Sequence, residues 1–106
     1  MKESDLYLEF KYAFIKVDPE AFIYKIPDTK GLGGKRPADM FVVSKTVAFL
    51  IEIKKNDEPT DYQAYWLKRM DLAGGIGVEY DHSKETIPQL VDRIIKLRND
   101  FWNTIC

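Results

Sequence analysis

Asp39, Glu52 and Lys54 are the residues of this chain whose types and spacing could do chemistry. The second carboxylate follows the first by thirteen residues and the amine follows by two more, within "KRPADMFVVSKTVAFLIEIKKNDEPTDYQ", residues 35–63. Two apolar runs, ADMFVV and VAFLIEI, fill much of this segment, with SKT between them. Side chains along a strand alternate faces, so Glu52 and Lys54 share one face and Ile51, Ile53 and Lys55 the other. Antiparallel pairing about SKT brings Asp39 level with about residue 52, and the two carboxylates converge. Such a pair suits a hard divalent cation such as Mg2+, which prefers oxygen ligands. The ion polarises a phosphodiester and acidifies a water molecule. A nearby lysine positions that water or neutralises charge developing on the phosphate.

Rigid elements must hold these groups. Residues 4–17 place Leu6, Phe10, Ala13, Phe14 and Val17 at helical spacing behind a Ser4 cap. AFIYKI (21–26) predicts a strand, and PDTKGLGGKRP a loop. Strands follow at 38–43 and 47–53, joined by a tight hairpin, and their continuous apolar character predicts cover on both faces. After the turn NDEP, a helix starts at Thr60, carries Tyr62, Tyr65, Trp66 and Met70 at helical spacing, and stops at Gly74-Gly75. The aromatic stripe reads as core or interface rather than a platform for nucleobases. A strand at 76–80 and a helix over roughly 87–103 complete the order αβββαβα. That order predicts an α/β fold, a central mixed sheet flanked by helices, over residues 1–106 as one domain.

Composition narrows the class. At 106 residues, with 45% apolar and 31% charged side chains, the chain reads as an ordinary globular protein. No apolar run approaches the roughly 20 residues that span a bilayer, so no membrane association is expected. The charged opening MKESDLYLEF does not resemble a signal peptide. A single cysteine, Cys106, permits no disulfide framework or thiolate metal site, and a cytoplasmic location is the simplest expectation. Net charge is −1, yet residues 25–55 carry seven basic side chains against three acidic, while both flanks are net acidic. A basic island in an acidic chain suits an anion-binding face. Lys25, Lys30, Lys35, Arg36 and Lys55 are the candidates for phosphate contacts, which position DNA without reading sequence. KGLGGKR lacks Gly-Lys-Ser/Thr and precedes a strand, so no nucleotide cofactor is expected of it.

With these residues in place, a family resemblance can be stated. Pro37-Ala38-Asp39 followed by Glu52-Ile53-Lys54 resembles the signature of the PD-(D/E)xK nucleases, and the αβββαβ order is similar to their common core. Within that superfamily, the small size, FIYKIPDTKGLGGKRPAD and AGGIGV look most like the VRR-NUC (virus-type replication-repair) nucleases and RecU-type Holliday-junction resolvases. The extra Ala38 and the longer gap between glycine and Asp39 depart from the usual pattern.

The resemblance implies a restriction-endonuclease-like fold and a Mg2+-dependent DNA endonuclease, with Mn2+ able to substitute, acting on branched, junction-like DNA. Asp39 and Glu52 would be metal ligands, with the backbone carbonyl of Ile53 as a third. Lys54 would be the catalytic lysine. Gln63 would orient the attacking water or Lys54, although Thr60-x-x-Gln63 is also a capping box. A first-helix glutamate near the metal is implied as well: Glu3 fits the VRR-NUC opening and Glu9 fits the resolvase spacing. A bacterial or phage source would suit such an enzyme. The rival reading is a non-catalytic DNA-binding or assembly subunit that keeps the nuclease fold.

Phe101, Trp102 and Ile105 extend the apolar face of the last helix beyond what the core needs. Cutting two strands of a branch also needs two active sites, which a twofold homodimer supplies. A homodimer is therefore expected.

Overall fold

The computed structural model describes residues 3–27, 36–54 and 61–105, with only the backbone of positions 3, 4 and 105. Helix α1 (Glu3–Val17) forms where Leu6, Phe10 and Phe14 recur at helical spacing, and all three are buried. The edge strand β1 (Phe22–Lys25) pairs antiparallel with β2 (Met40–Ser44). Strand β2 turns back into β3 (Val47–Ile53), and Met40 stands opposite Ile51. Helix α2 (Asp61–Leu72) then crosses to β4 (Ile76–Tyr80), which pairs parallel with β3. Helix α3 (Ile87–Ile105) closes the chain. Among the described residues the sheet is four-stranded and mixed, in the order β1-β2-β3-β4, with flanking helices, as the α/β expectation requires.

The two faces of the sheet differ. On one, Met40, Val42, Phe49, Ile51, Ile53, Val78 and Tyr80 form the core with Leu6, Phe10 and Phe14 of α1 and Ile87, Leu90, Val91 and Ile94 of α3. Removing that much apolar surface from water is the main stabilising term of the fold. On the other face α2 covers β4 and part of β3, approaching so closely that a Cβ on Gly77 would meet the Leu67 carbonyl oxygen at 2.5 Å. Full cover of both strands of the hairpin was expected. Strand β3 is largely buried, but β2 alternates buried and half-buried residues, because α2 does not extend over it.

The hairpin turn is two residues long, Lys45 and Thr46, with φ of 49° and 71°. Two left-handed residues give the turn the twist that a tight hairpin favours, at a steric cost for a β-branched threonine. The Trp102 indole N–H donates to the Lys45 carbonyl at 2.7 Å and clamps the turn from α3. Beneath it, the Ser44 hydroxyl donates to Asp18 Oδ2 at 2.5 Å, and Arg98 Nη1 donates to the Ser44 oxygen at 2.9 Å. Asp18 and Ser44 are both buried, so this network satisfies groups that would otherwise be costly to enclose. Phe101 and Trp102 were expected at a partner surface. Phe101 packs against the core, whereas Trp102 stays 38% exposed while its indole holds the turn. The Ile105 side chain lies outside the described residues.

Candidate functional site

At the sheet end opposite the turn, β2 begins and β3 finishes side by side. The Asp39 N–H donates to the Ile51 carbonyl at 3.0 Å and its Oδ2 accepts the Ile53 N–H at 2.6 Å. Asp39 therefore lies beside the end of β3 that carries Glu52. Both carboxylates are buried, at 2% and 4% relative exposure. Glu52 is in turn level with Glu79 of β4 in the parallel register. Three carboxylates thus form one row across the sheet, on the face that α2 shares. Lys54, two residues beyond Glu52, lies on the same face.

Each buried carboxylate is held. Asp39 Oδ2 accepts the Ile53 backbone N–H at 2.6 Å, and Oδ1 accepts the Arg36 guanidinium. Arg36 also donates to the Ile26 carbonyl at 2.9 Å, stapling the residues before β2 to the end of β1. Glu52 Oε1 accepts the Gln63 side-chain N–H at 3.0 Å. Helix α2 presents Gln63 to the sheet because Gly77 allows the helix backbone at Leu67 to sit almost on β4. The Lys54 ammonium lies 3.9 Å from Glu79 Oε1, and the Lys54 backbone N–H donates to the Tyr80 carbonyl at 2.7 Å.

The other expected residues fall elsewhere. Lys25 lies over the Tyr7 ring at 5.8 Å, on the α1 side of the sheet and away from the carboxylate row. Arg36, expected at phosphates, has its guanidinium on Asp39. Lys30, Lys35 and Lys55 lie outside the described residues, as does the side chain of Glu3. Glu9 is exposed on α1, and its charge acts on the Tyr80 phenol, which faces the core side of the sheet. Burial pushes that phenol up first, with Glu85, Glu9 and Asp81 adding to it. Ile53 enters the site through its N–H, a donor to Asp39. The residue that sequence reasoning missed is Glu79, which joins the row only through a crossover whose register cannot be counted along the chain.

Tyr62, Tyr65 and Trp66 are not core. None of the residues of α2 is buried, and these three rings form an edge-to-face group on its outer side, with centroids 5.4–6.2 Å apart. The helix approaches the sheet along its thin side, through Leu67 backbone and the Met70 side chain at Gly75, so its aromatics point outward.

The donor set can be tested against a divalent cation. Among the described residues, no group of three or more His, Cys, Asp or Glu side chains is placed to hold a metal ion. Asp39 and Glu52 are nevertheless oxygen donors of the kind Mg2+ takes, commonly one or two carboxylates with water and substrate phosphate completing the shell. No helix among the described residues is long and apolar enough to cross a membrane.

The fold has a structural counterpart. A solved structure described as a VRR_NUC domain is similar over 86% of this chain and 95% of its own, with a TM-score of 0.53 and 17% sequence identity. The chain has the fold of a VRR_NUC domain. No family model matches the chain, and no curated protein does. The VRR_NUC likeness bears out the fold that Pro37-Ala38-Asp39 and Glu52-Ile53-Lys54 implied.

Proposed function

We propose that this chain is a Mg2+-dependent DNA endonuclease that hydrolyses phosphodiester bonds in branched DNA. The observation that carries the reading is the placement of Asp39 beside the end of β3 that carries Glu52, both carboxylates buried, with Lys54 two residues beyond Glu52 and Gln63 bonded to Glu52. Two buried carboxylates this near each other also repel when both are ionised, and a cation between them relieves that repulsion. When bound, Mg2+ supplies Lewis-acid polarisation of the phosphodiester and a more acidic water. Asp39 and Glu52 would hold that ion. Gln63 fixes the Glu52 carboxylate in one orientation, and Lys54 places a positive charge where the phosphate becomes more negative. Mn2+, also an acceptor of oxygen ligands, would substitute. A homodimer would present two such sites to the two strands of a junction.

The test is cleavage of labelled four-way junction, flap and linear duplex in Mg2+ or Mn2+. Wild type cuts branched DNA in preference to duplex, and Glu52→Gln and Lys54→Ala cut it far more slowly. Absence of wild-type cleavage, or full cleavage by Lys54→Ala, overturns the reading. Light scattering with junction bound tests the dimer: a strict monomer excludes it. One observation favours a second reading, a non-catalytic DNA-binding subunit: Arg36 already compensates Asp39. That reading expects metal-independent junction binding with no cutting.

A further inference from the structure

We propose that Glu79 is a positioning residue for Lys54, holding the ammonium on the β4 side of Glu52. The inference rests on the nuclease reading and adds a residue to it. Glu79 is level with Glu52 on the neighbouring parallel strand, and its Oε1 lies 3.9 Å from Lys54 Nζ. Both ends of this contact are fixed by their backbones. The Lys54 N–H donates to the Tyr80 carbonyl at 2.7 Å, and Arg93 Nη2 of α3 donates to the Glu79 carbonyl at 3.0 Å. Arg93 is itself anchored by two bonds to Glu85, each at 2.9 Å. The strand position of Glu79 therefore does not depend on its side-chain partner.

The charge pattern gives this contact its purpose. Lys54 follows Glu52 by two residues on one face, so its flexible stem could lay the ammonium directly against Glu52. That would set an amine in competition with a cation for the same carboxylate. Glu79 is a second anion one strand away, and it draws the ammonium along the row towards β4. Asp81, two residues after Glu79 and just past the end of β4, also acts on Lys54 through its charge, but its Oδ1 accepts both the Ser83 N–H at 2.9 Å and the Ser83 hydroxyl at 2.6 Å. Glu79 is 42% exposed at its side chain, so the pair is screened by water and adds little to stability. Its value is directional: it selects where a mobile cation rests beside the two buried carboxylates.

Two measurements on the intact chain test this. In single-turnover cleavage of branched DNA, Glu79→Gln lowers the rate about tenfold with DNA affinity unchanged, and Glu79→Asp restores part of it. In the Lys54→Ala background, Glu79→Gln changes the residual rate by less than about twofold, because its effect runs through the missing amine. An equal loss in both backgrounds overturns the proposal. The second readout needs no activity: acetylation of each lysine by acetic anhydride, followed by mass spectrometry. Lys54 acetylates several-fold faster in Glu79→Gln while the other lysines keep their rates; an unchanged Lys54 rate overturns the proposal. A wild type that cuts no DNA defeats the nuclease reading instead, and the acetylation result alone then decides whether Glu79 holds Lys54.

Discussion

The Gln63 side-chain amide donates to Glu52 Oε1 at 3.0 Å, and this bond ties α2 to the end of β3 at the row of carboxylates. Partners that orient a metal-binding carboxylate commonly change affinity or activity by 10–100-fold when removed. Gln63→Ala should lower the cleavage rate, or raise the Mg2+ concentration for half-activation, by about tenfold. Its unfolding free energy should fall by only about 1 kcal/mol, since one part-buried hydrogen bond is lost. Metal titrations of cleavage and urea melts separate the two effects.

Asp39 has a structural duty beside its proposed chemical one. It accepts the Ile53 N–H and the Arg36 guanidinium, so Asp39→Ala removes the acceptor of an enclosed donor and the paired charge of a largely buried cation. The expected cost is about 3 kcal/mol. Asp39→Asn keeps one acceptor oxygen and should cost less. Urea unfolding of the two variants measures the difference, and Glu52→Gln is the safer substitution for activity assays.

Gly77 is where α2 meets the sheet. An alanine there would set its Cβ 2.5 Å from the Leu67 carbonyl oxygen and 3.0 Å from that residue's backbone carbons, none of which can rotate away. The helix must lift, at a cost of about 1–3 kcal/mol for overpacking. Gln63 lifts with it. Gly77→Ala should therefore slow cleavage as well as lower the melting temperature, although position 77 carries none of the proposed chemistry.

Much of this site can be read along the chain, and the reason is periodicity. Alternation put Glu52 and Lys54 on one face, and a hairpin of known turn position put Asp39 beside the end of β3 that carries Glu52; neither step needs distant information. Helix α2 was legible only in part, for the complementary reason. Tyr62, Tyr65 and Trp66 recur at helical spacing, but Gly77 and Gly75 let the helix dock through its backbone and Met70, so bulk no longer marks the buried side. Glu79 and the Asp18–Ser44–Arg98 network depend on crossovers and on helix packing, which no local pattern encodes.

Thr46 holds a φ of 71°, a conformation that crowds a branched side chain. Glycine would remove about 1–2 kcal/mol of strain and return about 0.5–1 kcal/mol through its freer unfolded chain. Thr46→Gly should gain about 0.5–1 kcal/mol of stability, or a few degrees in melting temperature, with cleavage unaffected.

The Asp18 carboxyl is held below its ordinary value of 3.8, first by the Ser44 hydroxyl, against the opposing effect of burial, and further by the Glu20 N–H, Lys45 and Arg98. A carboxyl whose folded value is depressed adds stability above its unfolded value and loses it as pH falls through the folded one. Wild type should therefore exceed Asp18→Asn in stability at neutral pH, and the gap should close as pH drops below 3.8. Urea midpoints of both proteins across that range check the sign.

The two ends of the sheet are knitted over different chain distances. At the carboxylate row, Arg36–Asp39, Gln63–Glu52 and Asp39–Ile53 join residues 3, 11 and 14 apart. At the turn, Asp18–Ser44, Arg98–Ser44 and Trp102–Lys45 span 26, 54 and 57 residues. Closing longer loops costs more chain entropy and delays the contacts that depend on it. Polarised folding is the expected outcome: Asp39, Glu52 and Gln63 are gathered by near neighbours in the chain, while the latch on the strained turn needs α3. As the chain leaves the ribosome, the chemistry can be assembled before the hairpin is latched.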